Sequence, residues 1–270
     1  MKSIGLALGG GGARGFCHIA FLKVLDALGL KPKIISGTSI GSIIGSFYAA
    51  GMSGEDMENM LEGIGFIEIT KMMDLNVFRD SALFKGKGVE EFIEENLPAN
   101  TFEACKIPLK IVATDFWGRK QFLFESGNLI EAIRASMSLP LIFEPVRHKN
   151  HILIDGGAVN PVPYDIIQDH CDICIAIDVS GNRQPKNKDP VPNMFDSVLS
   201  TFEIMQDSIL ENKNKINQPH IYIKPSLVNV GVLDFFKFKH IMKSVEQDVA
   251  DFEAAITKIC FPKRKKFFFI

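Results

Sequence analysis

Charge of one sign is what this chain has least of. Its 270 residues carry a formal net charge of -2, with a pI near 6.3. No global field draws it to polyanions, so nucleic acid is not an expected partner, and attraction to an anionic surface would have to come from a local patch. Cysteine is also scarce. Cys17, Cys105, Cys171, Cys174 and Cys260 are odd in number and scattered, which argues against a secreted disulfide scaffold and for a reducing compartment. Cys171 and Cys174 form a C-x-x-C, but no second pair completes a zinc site and Cys171 to Ile177 reads as a buried strand, so no metal is expected. An apolar run of the ~20 residues needed to cross a bilayer is missing. Met1-Lys2-Ser3-Ile4 lacks the apolar stretch and cleavage site of a signal peptide. The expected location is cytoplasmic, peripheral at the inner face of a membrane where it meets one.

What is present is apolar content, 46% of residues, enough for a sizeable core. Ser3 to Leu8 is a short apolar run ending in four glycines, and Phe16 to Leu28 follows with helical spacing. Ile34-Ile35 leads into Gly37, after which Ile40, Ile43, Ile44 and Phe47 repeat on one helical face until Gly51. Ser53 with Asp56 reads as an N-cap for a helix through Leu61, and Val89 to Leu97 as a helix closed by Pro98. Gly63 to Gly88 lacks clean periodicity and suggests a covering element. Strands are predicted at 109–114, 121–124, 142–146, 152–154 and 173–179, and helices near 128–138, 164–169, 194–216 and 240–259. Gly181 to Pro192 reads as an exposed loop. Strands alternating with helices predict an α/β three-layer sandwich with a central, mostly parallel sheet flanked by helices.

Three short patterns carry chemistry. Gly37-Thr38-Ser39-Ile40-Gly41 fits G-x-S-x-G, in which a strand turns sharply into a helix and exposes a serine; a Gly/Ser-rich turn of no chemical consequence would look the same. Gly10-Gly11-Gly12-Ala13-Arg14-Gly15, between a strand and a helix, can aim main-chain N–H groups at an oxyanion, with Gly11 and Gly12 the best donor candidates. That segment is equally a G-x-G-x-x-G nucleotide cradle, although the place where a ribose-binding acid is required holds Ile34-Ile35-Ser36-Gly37. Asp155, ending an apolar strand before Gly156-Gly157, is a candidate base for Ser39, or a turn-initiating aspartate. A Ser-Asp-His triad would draw its histidine from His170, His220 or His240; His18 reads as a helix-face residue.

Together and in this order, these patterns resemble the patatin-like phospholipase family, in the form of a bacterial-type patatin domain. Ala135-Ser136-Met137-Ser138-Leu139-Pro140, Phe143-Glu144-Pro145-Val146 and Val159-Asn160-Pro161-Val162-Pro163 look similar too. The resemblance spans roughly residues 3 to 180 as a catalytic core, with 181–262 completing the same domain and 263–270 a basic-aromatic tail. It implies a Ser-Asp dyad of Ser39 and Asp155, an oxyanion hole formed by Gly10, Gly11, Gly12, Ala13, Arg14 and Gly15, no cofactor, and a lipid or fatty-acyl ester substrate. Burial beside Ser39 should raise the pKa of Asp155, an otherwise weak base at pH 7. Two segments are candidates for membrane contact: the covering element with Phe66, Met72, Met73, Phe78 and Phe84, and the tail Lys263 to Ile270.

Overall fold

The computed structural model describes residues 2–64, 82–182, 184 and 191–262. The tail and most of the covering segment therefore lie outside the described residues. Strand β1 (Ile4–Leu8) is buried along its whole length, and a 3-10 turn (Gly12–Cys17) leads into α1 (His18–Ala27). Then come β2 (Ile34–Thr38), α2 (Ile40–Ala50), α3 (Gly54–Gly63), β3 (Ala82–Phe84) and α4 (Lys87–Asn96). The second half contains β4 (Leu109–Asp115), β5 (Lys120–Phe124), α5 (Leu129–Ser136), β6 (Leu141–Phe143), β7 (Val146–His148), β8 (His151–Asp155) and β9 (Ile173–Ile177). It ends with α6 (Met194–Ile216), β10 (Ile221–Ile223), α7 (Phe238–Ser244) and α8 (Glu246–Cys260).

The central sheet runs β10-β9-β1-β2-β4-β8-β7, with β5 paired to β4. From β10 to β4 all pairings are parallel, while β5, β7 and β8 are antiparallel. The pleat sorts side chains by size between two layers, because successive residues face opposite ways. Leu6, Leu8, Ile173, Ile175 and Ile177 join the large core that includes Phe21, Ile44 and Phe252. Ala7, Cys174 and Ala176 face a thinner layer made by Tyr164, Ile167 and Leu210 of α6. Small residues on that face let α6 and the irregular 160–167 segment lie close to the sheet. Cys174 is thus a packing residue of a strand.

Several local signals act where the sequence places them. Ser53 and Asp56 exchange a reciprocal capping box at the start of α3, and α6 has the bounds its periodicity predicts. Three expectations are corrected. The strand expected over 142–146 is two strands, parted at Glu144-Pro145, because proline gives no N–H to a ladder. The helix expected over 164–169 is a turn followed by a 3-10 segment, Gln168–His170; Tyr164 is instead buried against Asn214, to which its hydroxyl donates at 2.7 Å. The long helix expected over 240–259 is broken at Val245, and α8 lies on α1, where Phe252 meets Phe21 edge to face at 5.6 Å.

Candidate active site

Strand register explains how two distant residues meet. β2 ends with Thr38 opposite Val112 of β4, and β8, running the other way, ends with Asp155 opposite Ala113. β5 occupies one edge of β4 from Ile111 to Asp115, so β2 and β8 share the other edge and point their C-terminal ends at each other. Ser39 and Asp155 lie at that junction.

Ser39 has φ 53° and ψ -124°, a left-handed conformation that costs a non-glycine residue ~1–3 kcal/mol and persists only when its surroundings enforce it. Here they do. Its N–H donates to Ser136 Oγ at 2.8 Å, and Ser136 Oγ donates to Val112 O at 2.6 Å. Its carbonyl accepts from the Ser42 N–H at 2.8 Å. Gly41 permits the tight turn, since a Cβ there would stand 2.1 Å from Leu8 O.

Asp155 is 2% exposed. Ser39 lines the same small cleft as its carboxylate, and the Gly157 N–H donates to Oδ1 at 2.7 Å. Its own backbone is fixed by donation from Thr114 Oγ1 at 2.8 Å and by its N–H to Ser138 O at 2.9 Å. Burial pushes its pKa from the ordinary 3.8 up to about 6, and the Ser39 hydroxyl and the Gly157 N–H pull the other way without cancelling the rise.

The glycine loop lies beside this pair, with Gly10, Gly11 and Gly12 sharing a small cleft with Ser39, Asp155 and Gln206. Its N–H groups are not equivalent. Gly10 donates to Pro161 O at 3.0 Å and Ala13 to Val232 O at 2.8 Å. Among the described residues, the Gly11 and Gly12 N–H groups have no protein acceptor. The six-residue loop thus narrows to two available donors at its centre. Gly12, at φ +59°, is a position only glycine fits, because a Cβ would lie 2.2 Å from Val232 O. Arg14 acts as a strut: its guanidinium donates to Gly11 O at 3.1 Å, to Ser180 O, and to Glu203 of α6 at 2.6 Å.

Sequence reasoning missed several of these supports. Ser136, Val232, Glu203 and Gln206 carry no motif, and only the fold brings them to the loop. His18 is more than a helix-face residue. It is fully buried, pairs through Nε2 with Gly9 O at 2.9 Å, and is held neutral with a pKa lowered to about 4 by desolvation.

A cavity of about 520 Å³ opens at Ser39 between α2, α3 and α4. Ile40, Ile44, Phe47, Met57, Phe92 and Phe238 make its wall apolar, and Lys237, Lys239 and His240 stand among its lining residues. A site of this size suits an extended apolar ligand. His170 and His220 precede β9 and β10, at the opposite end of the sheet from Ser39. His220 Nδ1 accepts the Cys174 N–H at 3.0 Å. His240 is near the cavity, but the residues described at Asp155 are Ser39, Gly157, Thr114 and Ser138.

An elbow serine beside a buried carboxylate and a glycine loop, over an apolar cavity, is the layout of an α/β serine esterase. Residues 6–167 match the patatin-like phospholipase family, and the chain belongs to it. It is 29% identical over 192 residues to an NTE family protein of Mycobacterium tuberculosis, covering 71% of this chain and 53% of that one. It is 29% identical over 265 residues to Lysophospholipase NTE1 of Kluyveromyces lactis, covering 89% of this chain and 18% of that protein. Patatin-like phospholipase domain-containing protein 6 of Homo sapiens is 32% identical over 192 residues, or 66% of this chain and 13% of its own length. The chain thus spans about half the length of the mycobacterial relative and less of the others. Among solved structures, VipD from Legionella pneumophila has the same fold, with a TM-score of 0.57 at 14% identity over 93% of this chain and 67% of that one.

Proposed function

We propose that this protein hydrolyses acyl esters of lipids through an acyl-enzyme on Ser39, with Asp155 as general base and the Gly11 and Gly12 N–H groups as oxyanion donors. The observation that carries this reading is the placement of Ser39 and the buried Asp155 carboxylate together in one cleft, with Ser39 at the wall of an apolar cavity. The family and the lysophospholipase name of the yeast relative support a lipid ester as substrate.

Asp155 accepts the Ser39 proton as Oγ bonds to the ester carbonyl carbon, and the glycine loop holds the oxyanion. Collapse breaks the ester C–O bond, and Asp155 returns the proton to the departing alcohol. A water then attacks the acyl-enzyme, Asp155 taking its proton and passing it to Ser39 Oγ as the fatty acid leaves. The acyl chain occupies the cavity throughout. A fluorophosphonate probe should label the wild type and leave Ser39→Ala unlabelled; equal labelling of both would rule out Ser39 as nucleophile.

The pH dependence follows from the state of Asp155. The base must be ionised, so kcat/KM should fall about tenfold per pH unit below about 6 and level off above it. A profile flat between about pH 4 and pH 9 would contradict this role. His18, with its pKa lowered to about 4, stays neutral above about pH 5 and should add no step to the profile there.

A further inference from the structure

The end of the sheet that carries the site also carries a wedge of exposed aromatic and basic residues. β4 runs parallel to β2 and continues beyond Val112, the level at which β2 ends. The turn that follows therefore stands past the site on the same end of the molecule. Its residues Phe116, Trp117, Gly118, Arg119 and Lys120 are all exposed, Trp117 by 77% and Phe116 by 45%. The two rings meet edge to face at 4.9 Å. Asp115 fixes the turn, accepting the Gly118 N–H at 3.2 Å and pairing with His151 at 2.8 Å. The tip is therefore preorganised.

Another apolar surface lies on this end. α6 begins there, because it descends into β10, which is parallel to β9. Met194 and Val198, one turn apart, are 83% and 44% exposed, while Leu199, Phe202 and Gln206 further along line the cleft at Ser39. Scattered exposed apolar residues are ordinary, but several around one site mark a contact surface. Charge narrows the partner. Lys237 and Lys239 near the cavity pair with Asp234 and Glu62, whereas among the described residues Arg119 and Lys120 form no ion pair.

The geometry points to the hairpin tip Phe116–Lys120 as an interfacial anchor that seats the active-site end on an anionic lipid surface. Indole and phenyl rings enter the headgroup boundary while Arg119 and Lys120 meet lipid phosphates. The cavity then opens toward the membrane, so that an acyl chain reaches Ser39 without crossing water. This inference rests on the lipid-ester reading for its purpose, but it concerns residues with no part in the chemistry.

The chain has one tryptophan, so its fluorescence reports on the tip alone. With the intact protein, vesicles of phosphatidylcholine mixed with phosphatidylglycerol should shift Trp117 emission to the blue and protect it from iodide, and pure phosphatidylcholine should do so far less. Arg119→Glu/Lys120→Glu should weaken partitioning into the mixed vesicles by at least about fivefold per cation. Phe116→Ala/Trp117→Ala should lose most vesicle sedimentation. Both variants should keep wild-type turnover of a water-soluble short-chain ester. An unshifted Trp117, or variants that sediment like wild type, would overturn the anchor. So would a blue-shifted emission that needs only high protein concentration, which would assign the tip to contact with a second copy of the chain. Vesicle binding in a wild type inert toward every ester would instead count against the hydrolase reading and leave the anchor standing.

Discussion

Asp155→Asn is expected to lower kcat by about 10²–10⁴-fold, the range for losing a general base, while making the protein harder to unfold at about pH 8. Burial disfavours the ionised carboxyl in the folded state, and raising its pKa from 3.8 to about 6 costs about 3 kcal/mol once the group is ionised. The sign is that of an acid with a raised folded pKa. Its contribution to stability is fully present below pH 3.8 and is lost as pH rises through about 6. Asparagine carries no charge and can still accept the Gly157 N–H. The variant should therefore gain several degrees in Tm near pH 8, and the gain should vanish toward pH 4. Loss of activity with an unchanged or lower Tm near pH 8 would mean that the carboxylate is not held at a stability cost. Because the two residues work as a unit, Ser39→Ala/Asp155→Asn should be no less active than Ser39→Ala.

Gly12→Ala should lower kcat by about 10²–10³-fold, the effect of losing one oxyanion donor, with little change in KM. A Cβ at φ +59° is strained, and 2.2 Å from Val232 O it has no room. The loop must shift, and the Gly11 and Gly12 N–H groups shift with it. Gly29→Ala supplies the control. Gly29 also has positive φ, +65°, but nothing lies within 4 Å of its Cβ position, so the substitution should cost about 1 kcal/mol of stability and leave kcat unchanged. Equal kcat in the two variants would remove the glycine loop from the chemistry.

The stability cost at Asp155, the strain at Ser39 and the exclusion of side chains at Gly12 fall within one small volume. The supports around them are of ordinary kind: Ser136 under the elbow, Arg14 tied to Glu203, and the 160–163 segment. That segment accepts from Ser36 Oγ at Pro163 O, from Thr38 Oγ1 at Asn160 O and from the Gly10 N–H at Pro161 O. It is held in turn by Lys213, which donates to Asn160 Oδ1 at 2.6 Å and to Val162 O at 2.8 Å. This arrangement explains how a stretch without regular structure can sit buried beneath the site: its carbonyls are satisfied.

By itself the sequence determined the local elements and the pieces of the site. Continuous apolar runs mark β1 and β9 because parallel strands are covered on both faces. Ser53 and Asp56 mark a helix start because both groups belong to one turn. Glycines flank Ser39 and open the loop at Gly10 because tight backbone must be written into the chain where it occurs. Where a local signal competed with packing it misled: Pro145 split one expected strand, Val245 broke one expected helix, and burial of Tyr164 replaced another. Only the tertiary structure decided what meets what. No periodicity encodes that β8 should approach β4 from the opposite direction and stop at Ala113, one residue past the end of β2. Nor does one encode that Ser136, Glu203 and Val232 should come to the elbow and the loop. Side-chain patterning records whether a residue is inside or outside, which is a property of single positions. The meeting of Ser39 with Asp155 depends on strand order and register, which arise from the packing of the whole sheet.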